Sequence, residues 1–282
     1  MHWSDCGLNL LDPRFALNDA LGRASDAGVL DILVISSTIE ESEKAADLIR
    51  DHNTHQISAN DAPSQSVFLA QTAGIHPHYA DNTNSETWTK LKRIMADTQV
   101  VAVGECGLDF NRNFSSQANQ IYAFEQQLAL ASEHNMGVYL HERDAFDTQI
   151  SLLEKYAKSL PFMVAHCFTG NKSQLQAYLE LNCFVGITGW LCDNKRGKEL
   201  QNAVRDLPLE RLLLETDGPY LFPKTLKPRK SINEPCNIPY IANAVAELTG
   251  TDVDTIKQFA FQNANKLFFN RGMNEHTSNA RT

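Results

Sequence analysis

Val100-Val101-Ala102-Val103-Gly104-Glu105 is an apolar run, rich in β-branched residues, that stops at a glycine and a carboxylate. A short run of this kind, bounded by a turn residue, reads as a buried strand. The same pattern recurs at 32–36, 67–73, 138–141, 162–166, 184–187 and 212–215, and a first strand fits 3–8. Amphipathic stretches fill the intervals at 13–27, 39–51, 86–96, 117–133, 145–158, 172–181 and 195–205, and each predicts a helix. Asp12 before Pro13 reads as a cap and first-turn pair, while Gly28 and Gly137 stand where a helix should stop.

Strand starts fall roughly 30 residues apart, the length of one βαβ unit, and near-continuous apolar strands suit a parallel sheet covered by helices. Eight such units predict an α/β fold, a single closed (β/α)8 TIM barrel. An open doubly wound sheet would want a glycine-rich phosphate loop after an early strand, which this sequence lacks. After the eighth strand come a proline-rich loop at 219–235 and extra C-terminal helices at 238–248 and 253–269. The barrel domain is expected over 1–270, with 271–282 a polar, flexible tail.

A chain of 282 residues suffices for one such barrel. Its 25 Lys and Arg against 34 Asp and Glu give a net charge of −9, which argues against coating nucleic acid or anionic membrane by charge alone. A site that meets phosphates through metal ions is not excluded. No apolar run approaches the roughly 20 residues that span a bilayer. The start, Met1-His2-Trp3-Ser4-Asp5, lacks the character of a signal peptide, so a cytoplasmic protein is expected. Six scattered cysteines with no Cys-x-x-Cys pair read as reduced thiols.

In a parallel barrel the active site gathers at the C-terminal ends of the strands. Five predicted strands run there into metal-capable residues: Gly74-Ile75-His76-Pro77-His78, Gly104-Glu105-Cys106-Gly107-Leu108-Asp109, His141-Glu142-Arg143-Asp144, His166-Cys167-Phe168-Thr169-Gly170 and Glu215-Thr216-Asp217-Gly218-Pro219. A lone histidine at a strand end is usually a hydrogen-bonded core residue. Imidazoles and carboxylates converging on one mouth instead predict a divalent-metal site, with oxygen ligands favouring Mg²⁺ or Mn²⁺ and imidazoles admitting Zn²⁺. Such an ion supports hydrolysis.

These motifs, in order along nearly the whole chain and joined by Gly186-Ile187-Thr188-Gly189-Trp190, resemble the TatD family of metal-dependent deoxyribonucleases. The resemblance implies a TIM barrel of the amidohydrolase-like superfamily that hydrolyses DNA phosphodiesters, typically as a 3′ to 5′ exonuclease on single strands, with RNA as a second substrate. It implies Glu105, His141, His166 and Asp217 as metal ligands, with Asp217 also the general base and Glu105 central to catalysis. His78 and Arg143 become candidates for contacting phosphate, the latter through its fork of donors. A role in DNA repair follows from the family alone.

One departure bears on the metal. Most relatives carry Asp-x-His-x-His at the first strand end, whereas this chain reads Asp5-Cys6-Gly7-Leu8-Asn9. The TatD subgroup proper, which the Gly186-Ile187-Thr188-Gly189-Trp190 motif resembles, is similar here. Glycine offers no ligand and an amide is a weak one, so Mg²⁺ is expected over Zn²⁺, with Asp5 and Asn9 in reach of the ion. Two alternatives stay open: a small-molecule amidohydrolase or lactonase on the same barrel, and an inactive barrel that acts as a binding protein.

Other features have plainer readings. His76 reads as a structural residue beside Pro77, and His52, His55, His134 and His276 as surface residues. Cys106 and Cys167 read as small buried neighbours of ligands, because alternation along a strand turns adjacent side chains apart. Glu215 shares the face of Asp217, and Asp217 is preferred because the turn at Gly218-Pro219 sets it at the rim. Trp190 and Phe168 suit base stacking or packing, and Lys227, Arg229 and Lys230 suit a backbone groove or a solvated loop.

Overall fold

The computed structural model describes residues 1–58 and 66–269, without the side chains of 55–58. The expected tail, His276 and the His55 side chain therefore lie outside the described residues. Eight parallel strands follow one another around a single sheet: β1 (Trp3–Leu8), β2 (Val29–Val34), β3 (Phe68–Ala73), β4 (Val100–Asp109), β5 (Gly137–Arg143), β6 (Met163–Ala165), β7 (Phe184–Ile187) and β8 (Leu212–Leu214). Between them run α1 (Leu17–Asp26), α2 (Ile39–Ser58), α3 (Ser85–Ile94), α4 (Gln117–Glu133), α5 (Phe146–Tyr156), α6 (Lys172–Glu180) and α7 (Lys198–Val204). Helices α8 (Ile238–Thr249) and α9 (Val253–Ala264) complete the (β/α)8 barrel, and a short π-turn (Asn265–Phe269) follows.

Alternation along the strands divides the core in two. Leu69, Val138, Leu140, Leu212 and Leu214 pack outward in the layer shared with the helices. Their neighbours Ala70, Tyr139 and Leu213 turn inward, where with Cys6, Ala102, Val164 and Phe184 they fill the barrel. Phe268 and Phe269 join this inner cluster, meeting the rings of Phe162 and Phe68 at the strands' N-terminal ends, and so floor the barrel.

The ring closes at a seam between β1 and the segment after β8. There is one bridge, Leu8 with Gly218. The Asp217 amide donates to the Gly7 carbonyl at 2.9 Å and the Asn9 amide to the Gly218 carbonyl at 3.0 Å. Beneath them the buried Asp5 carboxylate accepts from the Thr216 amide at 2.9 Å and from its hydroxyl. Burial pushes the Asp5 carboxyl up to about 7, even though these Thr216 bonds pull it down.

Several boundaries differ from expectation for local reasons. Asp12 does not cap α1. Its carboxylate takes the Arg14 amide and guanidinium and its carbonyl the Phe15 amide, making a separate turn, so α1 begins at Leu17. Helix α7 starts late, at Lys198, because Asp193 takes the Lys195 and Arg196 amides in a preceding turn. Gly137 does not stop α4; the left-handed residue there is Asn135, at φ 51°. Gly137 instead clears the Phe162 ring, which a Cβ would approach to 2.2 Å.

The floor gives a direct test. Truncating a packed phenylalanine costs roughly 3–5 kcal/mol. Phe268→Ala should lower the unfolding free energy by that amount in urea titrations, whereas a loss under about 1 kcal/mol would show that the ring does not hold the floor.

Candidate active site

Three fully buried glutamines reach from the helices to brace strand ends at the C-terminal mouth. Gln127 holds the Ile75 amide and carbonyl, Gln149 the Leu108 amide, and Gln120 the Asp109 amide and carbonyl. The Glu105 amide is anchored on the Ser36 carbonyl and the His76 amide on the Ser37 carbonyl. The side chains of these strand ends are thereby fixed in register above the barrel.

They face an open cleft of about 1290 Å³ that includes Asn9, His76, His78, Glu105, Asp109, His141, Arg143, His166 and Asp217. Glu105 Oε1 lies 2.7 Å from His141 Nδ1, 3.6 Å from His76 Nε2 and 3.9 Å from His166 Nε2. His166 Nε2 lies 3.7 Å from Asp217 Oδ1, which accepts from Asn9 Nδ2 at 3.0 Å. Asp109 Oδ2 stands 2.7 Å from His78 Nε2 and 3.6 Å from His141 Nε2. Arg143, at the end of β5, is exposed at the cleft wall. All six residues singled out for the site are thus in one cleft.

Opposed charge and burial set the protonation of this cluster. Burial alone would raise the Glu105 carboxyl, but His76, His141 and His166 hold it far below the usual carboxylate range. Asp109 is likewise held low against its desolvation, by His141, the Arg112 amide and His78. Burial, with His141 nearby, pushes His76 down to about 3. For His166 the desolvation is outweighed by Glu215, Glu105 and Asp217, which raise it to about 10. Asp217 is pushed up to about 7 by burial, with His166 opposing.

Beneath the cluster lies a second layer. Glu215 is fully buried, and its Oε2 takes the Cys167 amide at 2.9 Å and faces His166 Nδ1 at 2.9 Å. Tyr139 Oη lies 2.7 Å from His166 Nδ1, 2.8 Å from Glu215 Oε1 and 2.7 Å from the Cys6 carbonyl. Acceptors around Nδ1 assign its proton there and leave Nε2 facing the cleft. A Cβ on Gly7 would come within 2.4 Å of the Tyr139 hydroxyl. The absence of a side chain at Gly7 therefore leaves room for the Tyr139 hydroxyl.

The donor set fits a divalent ion. His76, Glu105 and His141 bring ligand atoms within 4.8 Å of one another, as do His166, Cys167 and Asp217. His141 Nε2 is buried with no hydrogen-bond partner, an arrangement that costs free energy unless something else satisfies the nitrogen. Sequence reasoning set His76 and Cys167 aside. His76 does cap the turn at Pro77–Asn82, yet its ring also stands in the cluster. Cys167 adopts φ 44°, which breaks strand alternation and brings its thiol beside His166 and Asp217. Tyr139 and Asp109 carried no signal beyond a core tyrosine and a strand-end carboxylate. Phe168 is packing, edge-on to Tyr178, while Trp190 lines the cleft.

Comparison with known proteins agrees with this geometry. A model of the TatD related DNase family matches residues 4–269. The chain is 42% identical over 268 residues to the 3'-5' ssDNA/RNA exonuclease TatD of Erwinia billingiae, covering 94% of this chain and 98% of that one. Its namesake in Pantoea ananatis matches at the same identity and coverage. Among solved structures, the TatD homologue YJJV of Escherichia coli K12 superposes with a TM-score of 0.82 at 26% identity, over 95% of this chain and 98% of that one. A TatD family hydrolase from Entamoeba histolytica, 22% identical, shares the fold with a TM-score of 0.83 over 95% and 98% of the two chains. With its strand-end residues gathered in one cleft and its match running from the first strand to the π-turn, this chain belongs to the TatD-related DNase family.

Proposed function

We propose that the protein is a divalent-metal-dependent nuclease that removes nucleotides from the 3′ ends of single-stranded DNA and RNA. The observation that carries this reading is the convergence of Glu105, His141, His166 and Asp217 in one open cleft, with His141 Nε2 buried and its nearest carboxylate oxygen, Asp109 Oδ2, at 3.6 Å, beyond hydrogen-bond distance. The names of the relatives at 42% identity supply the substrate and polarity. Carboxylates beside imidazoles, with no first-strand histidine pair, favour Mg²⁺.

Glu105, His141, His166 and Asp217 would hold the ion, with His76 beside them. A bound divalent ion is a Lewis acid that lowers the pKa of water and neutralises charge on a phosphoryl oxygen. Glu105 stays ionised because the imidazoles around it offset its burial. Asn9 occupies Asp217 Oδ1, which leaves Oδ2 to take the proton of the attacking water. Arg143 binds the phosphate whose charge grows in the transition state, and His78, steadied by Asp109, orients a neighbouring phosphate. Tyr139 and Glu215 fix the His166 tautomer and ring plane.

Among the described residues no helix is long and apolar enough to cross a membrane, and all six cysteines are free. The cytoplasmic location and the single barrel domain over 1–270 are proposed from the sequence pattern.

Two measurements test the reading. End-labelled single-stranded oligonucleotides should shorten stepwise from the 3′ end in Mg²⁺, and EDTA or His166→Ala should abolish the ladder; folded protein that leaves them intact with every divalent ion would refute it. Tyr139→Phe should lower kcat/KM roughly 10–100-fold, the usual cost of losing a ligand-orienting hydrogen bond. Activity within about twofold of wild type would remove Tyr139 from the machinery.

A further inference from the structure

A second concavity, of about 560 Å³, adjoins the cleft and shares Trp190, Arg196 and Leu221 with it. Its lining includes Arg196, Lys224, Arg229 and Lys230 against a single carboxylate, Asp193. Asp193 is shielded from solvent and already satisfied: Arg196 Nε approaches it to 2.7 Å and Lys224 Nζ to 2.6 Å. Arg229 and Lys230 are exposed, and no ion pair is found for either among the described residues. In a chain of net charge −9, a groove lined with four cations that opens directly into a nuclease cleft is a local reversal of sign.

The groove is preformed rather than a gap between loose loops. The loop after β7 lies so close to the loop after β8 that a Cβ on Gly189 would meet the Leu221 carbonyl at 2.1 Å and the Pro223 ring at 3.1 Å. Where the two cavities meet, the Arg196 guanidinium lies 4.2 Å from the centroid of the Trp190 ring. The Asp193 contact thus holds this stacked cation at the junction. A flat aromatic with a cation over it, followed by exposed basic side chains, suits a stacked base followed by successive phosphates.

We propose that this groove is the track for the strand beyond the nucleotides being cleaved, with Trp190 and Arg196 at its entrance and Arg229 and Lys230 neutralising backbone phosphates within it. The proposal rests on the nuclease reading for the identity of its ligand. It extends that reading by explaining how an acidic protein would retain a polyanion: phosphates far from the metal-binding cluster meet fixed positive charge. Because the track lies beyond the junction at Trp190 and Arg196, it is expected to engage longer strands more than a dinucleotide held at the cluster.

The test uses binding, which needs no turnover. Fluorescence anisotropy in EDTA, over a series of salt concentrations, compares a labelled dinucleotide with a twelve-nucleotide oligothymidylate, for wild type and for Arg229→Gln combined with Lys230→Gln. Each phosphate neutralised on a single strand contributes about 0.7 to the slope of log K against log salt. The double variant should therefore flatten the longer oligonucleotide's slope by about 1.4 and lose most of the advantage of length. An unchanged slope overturns the track. So does an equal flattening in a control that loses the same charge elsewhere, Lys155→Gln with Lys158→Gln, since that would make net charge the cause. Failure of the nuclease reading appears separately, as intact oligonucleotides in the Mg²⁺ assay.

Discussion

The structure depends on how the barrel shuts. Among the described residues the backbone contacts between β1 and the segment after β8 are the Leu8–Gly218 bridge and two amide–carbonyl bonds rather than a regular ladder. The Asp5 carboxylate supplies acceptors there, for the Thr216 amide and hydroxyl, while its burial raises it to about 7. Buried polar groups carry a cost unless satisfied, so this contact has few alternative geometries. Thr216 leads directly into Asp217, and Asn9 follows β1 across the seam. The interaction that closes the ring therefore also sets where the proposed base and its partner stand.

Much of this was legible because the informative signals are local. Short apolar runs and amphipathic stretches marked the eight units, and residue type at strand ends marked five motifs, among which the family resemblance singled out Glu105, His141, His166 and Asp217. The extension of β4 to Asp109 was not legible, because Cys106-Gly107-Leu108 reads like the start of a loop. Gly107 is there for a strand reason: at φ 137°, its Cβ position lies 2.0 Å from the His141 carbonyl, so only glycine lets the two backbones meet. Gly137 is likewise explained by a distant contact, the Phe162 ring, while Asn135 takes the left-handed position at φ 51°.

Tyr139 was hidden more deeply. Between Val138 and Leu140 it is indistinguishable from barrel filling, and its ring does fill the barrel. What gives its hydroxyl meaning is the absence of a side chain at Gly7, together with the Glu215 and His166 atoms around it. The glycine at position 7 and the placement of this tyrosine are two sides of one packing solution. A glycine that looks like a missing ligand in sequence is, in space, room for a hydrogen bond that orients a remaining one.

The aromatic floor has a consequence for synthesis on the ribosome. Phe268 and Phe269 come after all eight described strands, yet they occupy the inner cluster that strands from β1 to β8 share. While translation proceeds, the nascent sheet presents apolar interior surface with nothing beneath it, a state that invites chaperones and aggregation alike. Burial of that surface waits for the last turn to leave the exit tunnel. Messages truncated even slightly upstream would yield barrels without floors, which quality-control proteases can recognise by their exposed interiors.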